Sequence, residues 1–184
     1  MPRRKVFFSF HYKTDVMRVA QIKNIGAIEH NKLVSENEWE KVQKKGQQAI
    51  KKWIDDNMKN RSCVVVLVGE KTAQSKWVQY EIKKAWNEGK GLLGIYIHRI
   101  NCPRNGKCWK GDNPFEQFYF KNGTKLSSII NCYAPDFFNA YNEIRKNIVD
   151  WIEEAIKIRK HIPKSQTISL IRRTSLLESL FNSL

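Results

Sequence analysis

Six consecutive residues, Cys63-Val-Val-Val-Leu-Val68, carry no charged or strongly polar side chain and show no alternation. A strand with one face in water alternates apolar and polar residues. A continuous β-branched run marks a strand buried on both faces, and such strands belong to parallel sheets covered by helices on either side. Gly69 ends the run. The rest of the chain has to supply neighbouring strands and two layers of helix.

It does so in a legible order. Lys5-Val-Phe-Phe-Ser-Phe10 predicts a short first strand, and Thr14 or Asp15 can cap a helix over about 16–25. A polar loop through Asn31–Glu38 follows, running into Trp39. Ile50, Trp53, Ile54 and Met58 then recur at the spacing of one helix face. After the central run, Val78, Ile82 and Ala85 form one stripe of a helix expected over about 72–88, and Leu92–Ile97 reads as another buried strand. Strand, helix, helix, strand, helix, strand predicts an α/β domain with a mainly parallel sheet and right-handed crossovers.

Residues 98–115 are rich in Asn, Gly, Lys and Pro and read as a long loop. Phe118-Tyr-Phe-Lys121, Asn122-Gly123 and Thr124-Lys-Leu126 spell a late β-hairpin with a type I′ turn. A long helix is expected from Pro135 to Lys160, with Phe137, Tyr141, Ile144, Ile148, Ile152 and Ala155 facing inward. The expected organisation is one domain over 1–160 and an amphipathic extension over 161–184. In that extension Ser175-Leu-Leu-Glu178 fits a capping box, and Leu177, Leu180, Phe181 and Leu184 form an apolar stripe.

The chain has 184 residues and a formal net charge of +15, from 33 Lys and Arg against 18 Asp and Glu. That balance favours polyanions without choosing among them. Lys83, Lys84, Lys90, Arg145, Lys146, Lys157, Arg159 and Lys160 are spread over separate elements, so a solvated basic surface is expected and a nucleic-acid face is not. The four cysteines (Cys63, Cys102, Cys108, Cys132) and four histidines (His11, His30, His98, His161) make no metal-ligand spacing, and no metal is expected. Met1-Pro-Arg-Arg-Lys5 leads directly into a strand, and no run approaches the roughly 18 apolar residues of a membrane span. A cytoplasmic location with reduced thiols is the expectation.

Gly89-Lys-Gly91-Leu-Leu-Gly94 matches GxGxxG literally. The dinucleotide loop requires a strand followed by a helix, and here the order is helix into strand, so these glycines are expected to end a helix and admit tight packing. Ser9 and His11 are close in sequence but make no legible hydrolase triad. In Ser75-Lys-Trp77-Val-Gln-Tyr80-Glu81, Trp77 and Glu81 lie one helical turn apart, which would set Glu81 at the domain's edge beside an aromatic wall. A carboxylate there suits glycosidic cleavage, where it stabilises an oxocarbenium-like centre; spacing alone equally allows a surface glutamate paired with Lys84.

Lys5-Val-Phe-Phe-Ser-Phe-His-Tyr12, Trp77-Val-Gln-Tyr-Glu81-Ile82, Gly111-Asp-Asn-Pro-Phe115 and Trp151-Ile-Glu-Glu-Ala155 resemble, in that order, the TIR-like family once known as a domain of unknown function, whose members serve in Thoeris antiphage defence. The resemblance covers about residues 4–156. It implies a flavodoxin-like TIR fold and cleavage of NAD at its nicotinamide–ribose bond, giving a cyclic ADP-ribose-type or ADP-ribose-conjugate signal for a separate effector. NAD is then substrate, with no further cofactor. The W-x-x-x-E position makes Glu81 catalytic, and Ser9, Phe10, His11, Trp39 and Trp77 are the expected substrate-binding residues. Homo-oligomerisation on activation is also implied. Val78 stands where many TIR domains carry Cys, a packing change. The alternative is a non-catalytic scaffold acting by homotypic assembly; a basic nucleic-acid-binding module, with steeply salt-dependent binding, is a third reading.

Overall fold

In a computed structural model the described residues are 4–25, 28–30 and 36–170, with the side chains of residue 30 and residues 36–38 not described. The elements run in order β1 (Lys5–Ser9), α1 (Tyr12–Lys23), β2 (Glu29–His30), α2 (Glu36–Lys44), α3 (Gln47–Met58), β3 (Cys63–Val68), α4 (Lys76–Asn87), β4 (Gly91–Tyr96), β5 (Phe118–Phe120), β6 (Cys132–Tyr133), α5 (Ala140–Lys160) and β7 (Ile168–Leu170). Five strands form a wholly parallel sheet in the order β2-β1-β3-β4-β6. The doubly wound α/β architecture expected from the sequence is present.

Burial follows the strand pleat. Val6, Phe8, Val65, Leu67, Leu93 and Ile95 meet Val19 and Ile22 of α1 and Ile144, Ile148 and Ile152 of α5 on one face. Phe7, Val64, Val66, Val68 and Leu92 meet Ile50, Ile54 and Met58 of α3 and Val78, Ile82, Ala85 and Trp86 of α4 on the other. Every residue of β3 is buried, which is why its sequence shows no alternation. The three glycines of the GxGxxG match do what their order predicts. Gly89 leaves α4 at φ 79°, and a Cβ on Gly94 would stand 2.5 Å from Cys132 Sγ and 2.9 Å from a Phe115 ring carbon.

Several boundaries move. The cap of α1 is His11, so Thr14 and Asp15 fall in the first turn of the helix. Ser75 caps α4, its Oγ accepting from Val78 N at 3.4 Å, so the helix starts later than Thr72. Trp39 lies on α2, a helix where the sequence suggested a loop; with only Trp39 and Val42 as large apolar residues, α2 is nearly all polar in sequence. Pro135 precedes α5 by an Asx turn, in which Asp136 Oδ1 accepts from the backbone N–H of Phe138 and Asn139. Phe137 is consequently 50% exposed and does not face inward.

The hairpin forms through a backbone bond from Phe120 N to Thr124 O and a Tyr119–Lys125 bridge. Its turn differs from type I′: Gly123 takes φ 83°, and Asn122 does not take a positive φ. Its first strand, β5, pairs with β7, fifty residues on. Trp86 Nε1 donates to Gln166 O at 2.7 Å and Ile168 is buried, fastening this segment beside α4. Arg159 departs from the basic surface expected of it. It is 2% exposed, donates to Trp86 O, and lies over the Trp86 ring at 4.5 Å. The capping box Ser175–Glu178 and the stripe of Leu177, Leu180, Phe181 and Leu184 lie outside the described residues.

Candidate active site

In a sheet of this strand order the chain leaves β1 toward β2 and returns to β3 on the other side. The crevice above the carboxyl ends of β1 and β3 is therefore the topological switch point, where open α/β sheets bind ligands. Both ends carry chemistry. Ser9 is the last residue of β1, His11 follows it, and α4, which enters after β3, carries Glu81.

Ser9 and Glu81 meet. Ser9 Oγ donates to Glu81 Oε2 at 2.5 Å, joining residues 72 positions apart. Glu81 is 6% exposed, so it is not the edge residue beside an aromatic wall that helix spacing suggested. Nor does it pair with Lys84, which binds Asp55 and Glu88 instead. Burial pushes the Glu81 carboxyl up to about 8, and the Ser9 hydroxyl pulls only partly against it. Glu81 is thus a mostly neutral acid at pH 7, with one hydroxyl to steady its charged form.

Phe10 and Trp39 join one aromatic run. Phe10 stacks on Tyr12 at 5.9 Å, Tyr12 on Trp39 at 5.7 Å, and Trp39 meets Trp53 edge-on at 5.5 Å. Tyr12 and Trp53 are the members that sequence reasoning left out; Tyr12 stood inside the quoted opening motif, and Trp53 was assigned to a helix face. Trp77 goes elsewhere. Half-buried, it packs edge-on against Tyr80 with the Lys76 ammonium over its ring at 5.2 Å.

His11 does not reach Ser9. Its Nδ1 sits 2.9 Å from Thr14 Oγ1, and burial holds the imidazole below its usual range, with Asp15 pulling the other way. His11 instead walls an open cleft of about 430 Å³ with Glu70, Lys71, Gln74 and Ser75. A second cleft, about 620 Å³, shares Glu70 and is lined by Lys13, Thr14, Asp15, Arg18, Asn105, Lys107, Cys108 and Trp109. Its floor is a buried ion pair, Arg18 Nη1 to Asp15 Oδ1 at 3.1 Å. Arg18 also donates to the carbonyls of Ile100 and Gly106, tying the loop after β4 to α1. Burial raises the Asp15 carboxyl, opposed by Thr14 and Arg18. No sequence pattern marked this pair, because Asp15 reads equally well as a cap. Among the described residues, no three His, Cys, Asp or Glu side chains gather as a metal site requires, and no helix is long and apolar enough to cross a membrane.

A buried carboxyl and its hydroxyl partner, set at the switch point of a parallel sheet, suit cleavage of a bond whose breaking leaves positive charge on a sugar. Known proteins with related sequences agree in family. A protein of Bacillus cereus (strain MSX-D12), named "Putative cyclic ADP-D-ribose synthase ThsB1", is 31% identical over 131 residues, covering 67% of this chain and 68% of that protein. The family described as "Thoeris protein ThsB, TIR-like domain" matches residues 7–101, which hold the end of β1, the strands β2 to β4, Ser9 and Glu81. With that match spanning just over half of its length, the chain belongs to the TIR-like domain family of the Thoeris protein ThsB.

Proposed function

We propose that the protein cleaves the nicotinamide–ribose bond of NAD and turns the ADP-ribose into a cyclic or conjugated nucleotide signal for Thoeris-type antiphage defence, working in the cytoplasm without a further cofactor. The observation that carries this reading is the Ser9–Glu81 pair, a buried carboxyl at the switch point. Heterolysis sends the bonding electrons to the departing nicotinamide, which leaves neutral, and positive charge develops on the ribose. Ionised Glu81 stabilises that charge, and the cationic nicotinamide ring of the substrate itself favours loss of the Glu81 proton. Ser9 Oγ holds the carboxylate in place. Phe10 and Trp39 supply aromatic faces in the run that starts beside Ser9, Trp77 lies apart from that run against Tyr80, and His11 walls the adjoining open cleft. A nucleophile from the same ADP-ribose, from an acceptor, or from water completes the step and releases one proton. The name of the Bacillus cereus relative supports the cyclising branch.

Glu81 is closed in this conformation, so substrate must open the site, and assembly on activation is the proposed means. A closed Glu81 is also what a non-catalytic scaffold would show. Incubating wild type and Glu81→Gln with NAD, with and without extract of phage-infected cells, and resolving products by mass spectrometry separates the two. Nicotinamide together with a cyclised or conjugated ADP-ribose, absent from Glu81→Gln, is the expected result. Protection of cells by a wild type that releases no nicotinamide would establish the scaffold.

A further inference from the structure

Three large apolar side chains stand exposed among the described residues, and all three lie in one region: Trp109 at 82%, Phe137 at 50% and Phe138 at 91%. They sit on the two loops that leave the carboxyl ends of β4 and β6. Trp109 lines the second cleft, and Lys107 links it to the other two aromatics: its Nζ donates to Phe137 O at 3.1 Å and rests 3.9 Å above the Phe137 ring. The Lys107 ammonium is thereby held at the cleft wall. Lys13 faces the same space from α1. Below them the cleft floor is fixed by the Asp15–Arg18 pair and by Arg18's bonds to two backbone carbonyls.

We propose that this second cleft binds the adenosine diphosphate half of the substrate, an assignment that rests on the NAD-cleaving reading above. An exposed indole at the lip offers a stacking face for a purine. Two lysines set beside it, Lys13 and Lys107, match a pyrophosphate. Glu70, the wall common to both clefts, offers a carboxylate to ribose hydroxyls. Lys13 is two residues from His11, so one extended dinucleotide passes from the second cleft to the first along the start of α1. The nicotinamide end then lies over the strand end that carries Ser9, and the adenine end lies on Trp109. A peptide or a nucleic-acid strand would use the aromatics equally well, but neither needs two lysines and a single indole lining one cleft, nor a wall, Glu70, shared with the cleft at His11.

The test titrates ADP into wild type, Trp109→Ala and Lys107→Gln by calorimetry, and measures cleavage of NAD and of nicotinamide mononucleotide, which lacks the adenosine half. Both substituted side chains are exposed, so the fold is retained. ADP should bind wild type and bind Trp109→Ala about tenfold more weakly, the loss expected for one stacked base. The KM for NAD should rise by a similar factor at unchanged kcat, while cleavage of nicotinamide mononucleotide stays the same. Equal ADP binding by all three proteins, no ADP binding at all, or Trp109-dependent binding of a single-stranded oligonucleotide in place of ADP would each overturn the assignment. Trp109-dependent ADP binding by a protein that releases no nicotinamide would support the nucleotide site and refute the enzymatic reading.

Discussion

Replacing Glu81 by Gln should make the protein more stable at neutral pH than the wild type, and the gain should grow with pH. The folded carboxyl keeps its proton to about pH 8, against 4.5 for an ordinary glutamate. Between those values the unfolded chain has already released the proton and the folded chain has not. The unfolded state therefore binds fewer protons, and stability falls as pH rises through that window. The slope from this one group is about 1.4 kcal/mol per pH unit, or roughly 2–3 kcal/mol between pH 5.5 and pH 7.5. An amide has the same shape, can keep the contact with Ser9 Oγ, and does not titrate. At pH 5.5 the two proteins should agree within about 1 kcal/mol. At pH 7.5 Glu81→Gln should melt about 5–10 °C higher, since each kcal/mol moves the midpoint by about 2–4 °C in a chain of this size. Urea unfolding of both proteins across this range measures the difference directly, and other titrating groups cancel between them. Parallel pH profiles would refute the burial argument, because they would mean that Glu81 ionises in the folded protein as it does in water.

The same displaced carboxyl should appear in the kinetics: kcat/KM for NAD should rise with pH to a limb near 8, and Ser9→Ala should push that limb higher by removing the hydroxyl that favours the ionised form. A pH-independent kcat/KM would count against Glu81 acting as a carboxylate. Gly94→Ala should destabilise the protein by about 1–3 kcal/mol through overpacking against Cys132 and Phe115; adding Cys132→Ala should recover part of the loss in a thermal melt. Trp39→Ala should cost about 1–3 kcal/mol, because it removes both the stack on Tyr12 and the edge contact with Trp53. A near-ultraviolet dichroism spectrum unchanged by that substitution would refute the continuity of the aromatic run.

Local pattern made the layers legible and left the pairings hidden. Val64, Val66 and Val68 face α3 and α4 while Val65 and Leu67 face α1 and α5, so a run without alternation could only be a central strand. The stripe of Val78, Ile82 and Ala85 likewise fixed which side of α4 meets the sheet. That stripe also explains the misplacement of Glu81, which sits next to it on the helical wheel. Whether such a flank residue is exposed depends on what arrives from elsewhere, and what arrives is Ser9, 72 residues earlier. The same limit applies to β5. Phe118-Tyr-Phe120 announced a strand, and Asn122-Gly123 announced a turn, but Ile168-Ser-Leu170 is too short to declare itself a partner. Arg159 read as one more basic surface residue because no sequence pattern shows an indole and two backbone carbonyls, those of Trp86 and Ile162, closing over a guanidinium.

The pairing of β5 with β7 governs when the domain can finish folding during synthesis. The parallel sheet and both helical layers are complete in sequence by Lys160, yet the indole N–H of Trp86 has its acceptor only at Gln166, and the edge of β5 is filled only by Ile168–Leu170. A nascent chain emerging at about 5–20 residues per second therefore carries a nearly assembled core with one open seam on the α4 side. Closure waits for the last of these residues to leave the ribosome, and the native packing around α4 is reached only after the whole candidate site has been made.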